Sequence, residues 1–185
     1  MLIIRDATEN DVENLLDIYA YYVESTAVSF EITTPSLKEF QNRFRKIKKH
    51  YPYLVIEDEG IIKGYSYAYL FIGREAYSYS CETTIYLDPD SRGKGYGRKL
   101  YEELENRLKK IGIINLYACI GVTDKEDEYL TNNSSDFHSY IGYKTVGIFE
   151  KCGRKFDRWY DMIWMEKCIG DHMDNPVPVK WRSDT

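Results

Sequence analysis

The chain has 185 residues, 43% of them hydrophobic and 30% charged, with a formal net charge of −5. That size and balance fit one globular domain with room for a sizeable core, and the acidic surplus argues against a nucleic-acid partner, which would favour a basic face. No apolar run approaches a membrane span, the start Met1-Leu2-Ile3-Ile4-Arg5 lacks a signal-peptide layout, and the four cysteines and three histidines are too scattered for a zinc site or a disulfide framework. Buried free thiols in a reducing cytoplasm are expected.

From Ile3 to Arg5 the chain reads as a first strand. Thr8 then caps a helix with Val12, Leu15, Leu16, Tyr19 and Val23 at helical spacing. A second helix starts after Pro35, where Ser36 and Glu39 have capping-box spacing, and runs through Phe40, Phe44 and Ile47. Residues 53 to 57 and 61 to 71 predict a hairpin turning at Asp58-Glu59-Gly60, and residues 79 to 87 a third antiparallel strand. A leucine-striped helix from Arg98 ends at Gly112, followed by a strand from Ile113 to Ile120. An acidic loop holds Lys125-Glu126-Asp127-Glu128, and a short helix from Asn133 closes at Gly142. A final hairpin is expected to turn around Gly153. After Gly170, Pro176 and Pro178 mark an extended arm, so residues 1–170 form the domain and 171–185 the arm. Eighteen tyrosines crowd into strand-like segments, which suggests amphipathic surfaces lining a cleft or a subunit contact. Periodicity alone supports an α+β domain with a largely antiparallel sheet.

The stretch from Glu82 to Leu104 carries the most chemistry. A β-branched strand, Thr84-Ile85-Tyr86-Leu87, stops at Asp88-Pro89-Asp90. Arg92-Gly93-Lys94-Gly95-Tyr96-Gly97 follows, then the helix opening at Arg98. Glycines let a ligand approach the backbone, the first helical N–H groups lack intrahelical partners, and three cations surround them, so the stretch is built to hold phosphate. Gly97-Arg98-Lys99 does not supply the Gly-Lys-Ser/Thr ending of a Walker loop. The region around Tyr117 lacks the acid of a dinucleotide fingerprint.

The spacing Arg92-x-x-Gly95-x-Gly97 instead resembles the pyrophosphate loop of the GNAT acetyltransferase superfamily, whose order β-α-α-β-β-β-α-β-α-β-β is similar to the one read here. Five ordered segments are similar to the phosphinothricin N-acetyltransferase branch. They are Thr26-Ala27-Val28-Ser29-Phe30, Arg74-Glu75-Ala76-Tyr77, the run from Glu82 to Leu87, Phe137-His138-Ser139-Tyr140-Ile141-Gly142-Tyr143, and the run from Gly153 to Asp161. The similarity extends from Ile3 to about Val179.

The resemblance implies a GNAT fold, α+β with a central, mostly antiparallel sheet flanked by helices. It implies a cytoplasmic, homodimeric N-acetyltransferase that uses acetyl-CoA and no metal. Acetyl would pass to the amine of a small amino acid or amino-acid-like compound, of phosphinothricin or methionine sulfoximine type, by direct attack in a ternary complex. Ile85, Tyr86 and Leu87 would pair with the pantetheine arm, and residues Arg92, Gly93, Lys94, Gly95, Tyr96, Gly97 and Arg98 would grip the diphosphate. Asn132 and Asn133 compete for a further cofactor contact, with Asn133 favoured because it stands five positions before His138. Glu82 is the candidate base, directly or through water, and His138 the second catalytic candidate, as acid, base or substrate contact. Arg74 and Tyr77 would hold a carboxylate or phosphinate, for which guanidinium geometry is suited, and Phe30 an apolar wall. The rival readings are a non-catalytic acetyl-CoA-binding sensor or interaction module, and an acetyltransferase for polyamines or protein N-termini.

Overall fold

A computed structural model describes residues 1–181. It contains two compact units: Met1–Ile18, Pro35–Leu116 and the segment from Cys168 onward in the first, Tyr19–Thr34 and Tyr117–Lys167 in the second.

In the first unit β1 (Leu2–Asp6), β2 (Tyr53–Asp58), β3 (Ile61–Leu70) and β4 (Ser80–Leu87) lie side by side in that order, each antiparallel to its neighbour. The β2–β3 turn falls where the sequence places it. Glu59 and Gly60 both take positive φ (52° and 79°), the two-residue geometry that matches strand twist. Register fixes what each face carries. Tyr65, Tyr67 and Tyr69 of β3 stand opposite Tyr86, Thr84 and Glu82 of β4, so these six side chains share one face. The helix α1 (Val12–Ser25) begins in this unit, and α2 (Leu37–Lys48) covers the tyrosine face, with Phe44 edge-on to Tyr53 at 4.9 Å between rings. Tyr53 in turn stacks on Tyr67 at 4.7 Å. Along this face Tyr53 and Tyr65 are buried, Tyr67 is half-buried, and Tyr69 near the strand's end stays exposed. Ser36 caps α2 by accepting the Glu39 N–H, whereas the Glu39 carboxylate turns to Arg43.

On the opposite face lies α3 (Tyr96–Ile111), whose buried Leu100, Leu104 and Leu108 form the expected stripe and whose Tyr101 hydroxyl donates to Thr83. Gly112 caps α3 in the left-handed region, at φ 96°. The helix starts two residues earlier than its leucine pattern suggests. Gly95, at φ 77°, already turns the chain into it, and Gly97 sits buried in the first turn. Beyond Gly170 the described residues of the arm hold no regular element, yet they are fastened to their own unit. The Lys180 N–H donates to the Ile111 carbonyl, and Trp181 packs edge-on against Tyr51. The arm's last four positions, 182–185, lie outside the described residues.

The second unit holds most of β5 (Asn115–Val122), the helix α4 (Asn133–Tyr140), and the long antiparallel pair β6 (Lys144–Lys155) and β7 (Arg158–Cys168), with β7 between β5 and β6. The β6–β7 turn is not at Gly153. It is made by Phe156 and Asp157, both at positive φ (49° and 60°), and Gly153 pairs with Tyr160 inside the ladder. Gly153 is required there for space: a Cβ would stand 2.3 Å from the Phe30 ring.

All four cysteines are free thiols, but only Cys81 is buried; Cys119, Cys152 and Cys168 are exposed, against the expectation of buried thiols. Alternation along short strands sends every second side chain outward, and composition does not reveal which.

Candidate active site

Glu82 sits on β4 between buried Cys81 and Thr83, and its side chain is half-buried on the tyrosine face. Burial raises its carboxyl above the ordinary carboxylate range, the direction that makes it a stronger base. It borders a cavity of about 310 Å³ walled by Tyr67 and Tyr69 of β3, Thr84 of β4, and Arg43, Lys46 and Ile47 of α2. A carboxylate, two cations and two phenol rings thus face one space. Cys81 cannot serve as a nucleophile beside it, because burial drives its thiol far up.

Four residues along from Glu82 the strand runs through Tyr86 and Leu87 into a structured turn. The Asp88 carboxylate accepts the Asp90 N–H and the Ser91 hydroxyl, which forms a single turn of 3-10 helix over Pro89–Ser91. Gly93 and Gly95 follow at φ 74° and 77°, and the space where a Cβ would stand at either is open. Gly95 is the N-cap of α3, so no side chain caps the helix, and no acid lies in its first turn. Uncapped N–H groups at a helix start, beside exposed Arg92, Lys94 and Arg98, suit a diphosphate. Arg98 pairs with Glu102 at 2.7 Å. The Tyr96 side chain is committed elsewhere. It is buried, and its hydroxyl donates to Asp58 at the β2–β3 turn, which anchors the start of α3 and leaves only the Tyr96 backbone for a ligand.

Arg74 is exposed and precedes a turn of 3-10 helix, Glu75–Tyr77. Tyr77 packs edge-on to Phe71 at 5.6 Å. Neither lines the cavity beside Glu82.

His138, Asn133 and Phe30 belong to the second unit. His138 is 3% exposed, wedged edge-on between Phe137 and Tyr143, with Nδ1 2.7 Å from the Ser134 carbonyl. A carbonyl only accepts, so Nδ1 carries the proton and Nε2 is the lone-pair nitrogen. Burial pulls the ring down to about 4, against a smaller opposing effect of the Ser134 carbonyl, and the imidazole is neutral at pH 7. A neutral ring accepts through Nε2; it is not a ready acid. Of the two competing asparagines, Asn132 is spent on bracing its loop, its amide meeting both the N–H and the carbonyl of Thr123. Asn133 opens α4 and is exposed.

Phe30 packs with Ala27, Leu130 and Tyr160, and Lys155, buried nearby, donates to the Ser29 carbonyl at 2.7 Å. The acidic loop is pinned to the same hairpin. Desolvation alone would raise Asp127, but Arg158, the N–H groups of Tyr129 and Leu130, and the Tyr160 hydroxyl hold it at about 2. Among the described residues no group of three His, Cys, Asp or Glu could hold a metal ion, and no helix is long and apolar enough to cross a membrane.

The family described as an acetyltransferase (GNAT) domain matches residues 4–164. A phosphinothricin N-acetyltransferase of Alcaligenes faecalis is 31% identical over 165 residues, spanning 89% of this chain and 81% of its own. An L-methionine sulfoximine/L-methionine sulfone acetyltransferase of Salmonella typhimurium is 27% identical, over 91% of this chain and 95% of its own. The crystal structure of a phosphinothricin acetyltransferase from Sinorhizobium meliloti, in complex with AcCoA, superposes with a TM-score of 0.87 at 33% identity, covering 100% of this chain and 97% of that one.

Proposed function

The chain belongs to the GNAT acetyltransferase family and has its α+β fold, and we propose that it transfers acetyl from acetyl-CoA to the amine of a small amino acid or amino-acid-like compound. The observation that carries this reading lies within the first unit. A half-buried carboxylate with raised proton affinity, Glu82, borders a cavity on a strand that leads into an uncapped, cation-flanked helix start. The names of the relatives support the acceptor class: phosphinothricin for one, methionine sulfoximine and sulfone for another.

When bound, acetyl-CoA supplies the thioester carbonyl that the amine attacks. The amides from Gly93 to Gly97 hold the diphosphate with Arg92, Lys94 and Arg98, and the backbone of Ile85 and Leu87 aligns the arm, Tyr86 lying between them. Glu82 takes the proton of the attacking amine, directly or through one water. Alignment of two bound substrates supplies most of the rate, and a ternary complex needs no acyl-enzyme. His138, neutral, acts as an acceptor through Nε2. Asn133 contacts the cofactor, Arg74 and Tyr77 hold an acceptor oxyanion, and Phe30 supplies an apolar wall.

The reading includes a homodimer, supported by exposed Val146, Ile148, Phe149 and Trp159 on β6 and β7. It includes the cytoplasm, supported by three exposed free thiols that suit a reducing compartment.

Release of the coenzyme thiol is the test. Acetyl-CoA is offered with single amino acids, phosphinothricin, methionine sulfoximine, a polyamine, or nothing. Release that depends on an amino acid or analogue is expected. Tight calorimetric binding of acetyl-CoA without release under any condition would instead mark a sensor.

A further inference from the structure

The cavity beside Glu82 contains two charges that amine acetylation alone does not call for. Arg43 and Lys46 stand three residues apart on α2, a spacing that puts them on one helical face, and both line the cavity. Two further cations of this helix are used elsewhere. Arg45 forms a fork with the Glu9 carboxylate at 2.9 and 3.0 Å, and Lys48 donates to the Ala7 carbonyl. Arg43 shares one nitrogen with Glu39 at 2.6 Å, a pair in which both side chains keep much of their exposure. Lys46 has no ion-pair or hydrogen-bond partner among the described residues. The wall opposite α2 contributes one carboxylate, Glu82, and the hydroxyl-bearing Tyr67, Tyr69 and Thr84. Two cations therefore line this space, Arg43 sharing its charge with Glu39, and the one carboxylate in the lining, Glu82, is reserved for an amine.

We propose that Arg43 and Lys46 form an oxyanion subsite for the acceptor's side chain, so that the enzyme prefers amino acids whose side chain ends in a carboxylate or phosphinate over isosteres that are neutral. The inference rests on the acetyltransferase reading above and narrows it. An α-amino group near Glu82 and an acidic side-chain end near Arg43 and Lys46 match the polarity of the cavity from end to end. A guanidinium offers two parallel N–H groups to a planar carboxylate or to two phosphinate oxygens, and an ammonium adds a point charge. Glutamate and phosphinothricin have this charge pattern. Glutamine and methionine sulfoximine are of similar size with a neutral end. Arg74 and Tyr77, outside this cavity, are left for the carboxylate that all four compounds share.

The test compares kcat/KM for glutamate against glutamine, and for phosphinothricin against methionine sulfoximine, in the wild type, Lys46→Met, and Arg43→Met/Lys46→Met. Charge-assisted hydrogen bonds of this kind correspond to preferences of about tenfold or more. The wild type is expected to favour the anionic member of each pair by that factor, through KM. The double variant is expected to bring both ratios close to one, and Lys46→Glu to invert them. A wild-type ratio near one, or a variant that slows both members of a pair equally, would overturn the subsite while leaving acetylation in place. If no amine is acetylated, the function fails on its own terms. Calorimetric titration of phosphinothricin then decides the subsite: heat that persists in the double variant, or no heat in the wild type, overturns it.

Discussion

Tyr69 stands directly across the β3–β4 ladder from Glu82, and its ring walls the same cavity as that carboxylate. A bulky aromatic beside an acid on a half-covered sheet face removes water from one side of it. Burial of Glu82 on that face lifts its carboxyl by desolvation.

The consequence is a pH dependence with a definite sign. A base works deprotonated, so kcat/KM should rise with pH through a midpoint above the usual carboxylate range and flatten beyond it. Glu82→Gln should lower kcat by about a hundredfold or more and erase that limb, leaving acetyl-CoA affinity nearly intact by calorimetry. Full activity in the variant would remove Glu82 from the role of base.

The turn before α3 makes a second prediction, about binding instead of turnover. Gly95→Asp and Gly97→Asp each place an anion where the diphosphate would lie. At Gly95 the local chain leaves room for a side chain, but φ 77° disfavours it by about 1 kcal/mol. Gly95→Asp should therefore stay folded while acetyl-CoA binding is lost, and unchanged heats of binding would refute the assignment of this loop.

His138 predicts a stability effect. Its folded-state value of about 4 lies below the ordinary 6.5, so the unfolded chain binds the extra proton first. Stability from the neutral ring is complete above pH 6.5 and is lost as pH falls through about 4, to a limit of about 3 kcal/mol. Urea unfolding at pH 7 and at pH 4.5 should show the loss in the wild type and a clearly smaller one in His138→Gln. A ring that titrates near 6.5 by NMR would contradict this.

The signals that were legible in the sequence are local ones. Ser36 before a helix, Gly112 after one, and Asp58-Glu59-Gly60 between strands each specify backbone geometry through neighbours a few positions away, and the structure has all three. The helix start at Gly95 was blurred because glycine spacing marks a turn and a tight helix entry alike. The cavity cations were not legible. Arg43 and Lys46 read as the solvated side of an amphipathic helix until α2 is laid over β3 and β4, a long-range packing decision. The acidic loop was opaque for the same reason, since its Asp127 gains meaning only from Arg158 and Tyr160 on β7.

Gly153 is the sharpest case, because a glycine between two strand-like runs signals a turn and here marks a packing slot. The Phe30 ring fills the space above its α-carbon, with three ring atoms within 2.8 Å of where a Cβ would be. Phe30 cannot retreat freely, since it packs with Ala27, Leu130 and Tyr160. Gly153→Ala should cost about 1–3 kcal/mol by overpacking in chemical denaturation. The matched control is Gly147→Ala on the same strand, where nothing lies within 4 Å and little change is expected. Phe30→Leu should recover part of the loss when combined with Gly153→Ala, because the smaller side chain vacates the contact. Additive losses in that double variant would show that the two residues do not share the slot.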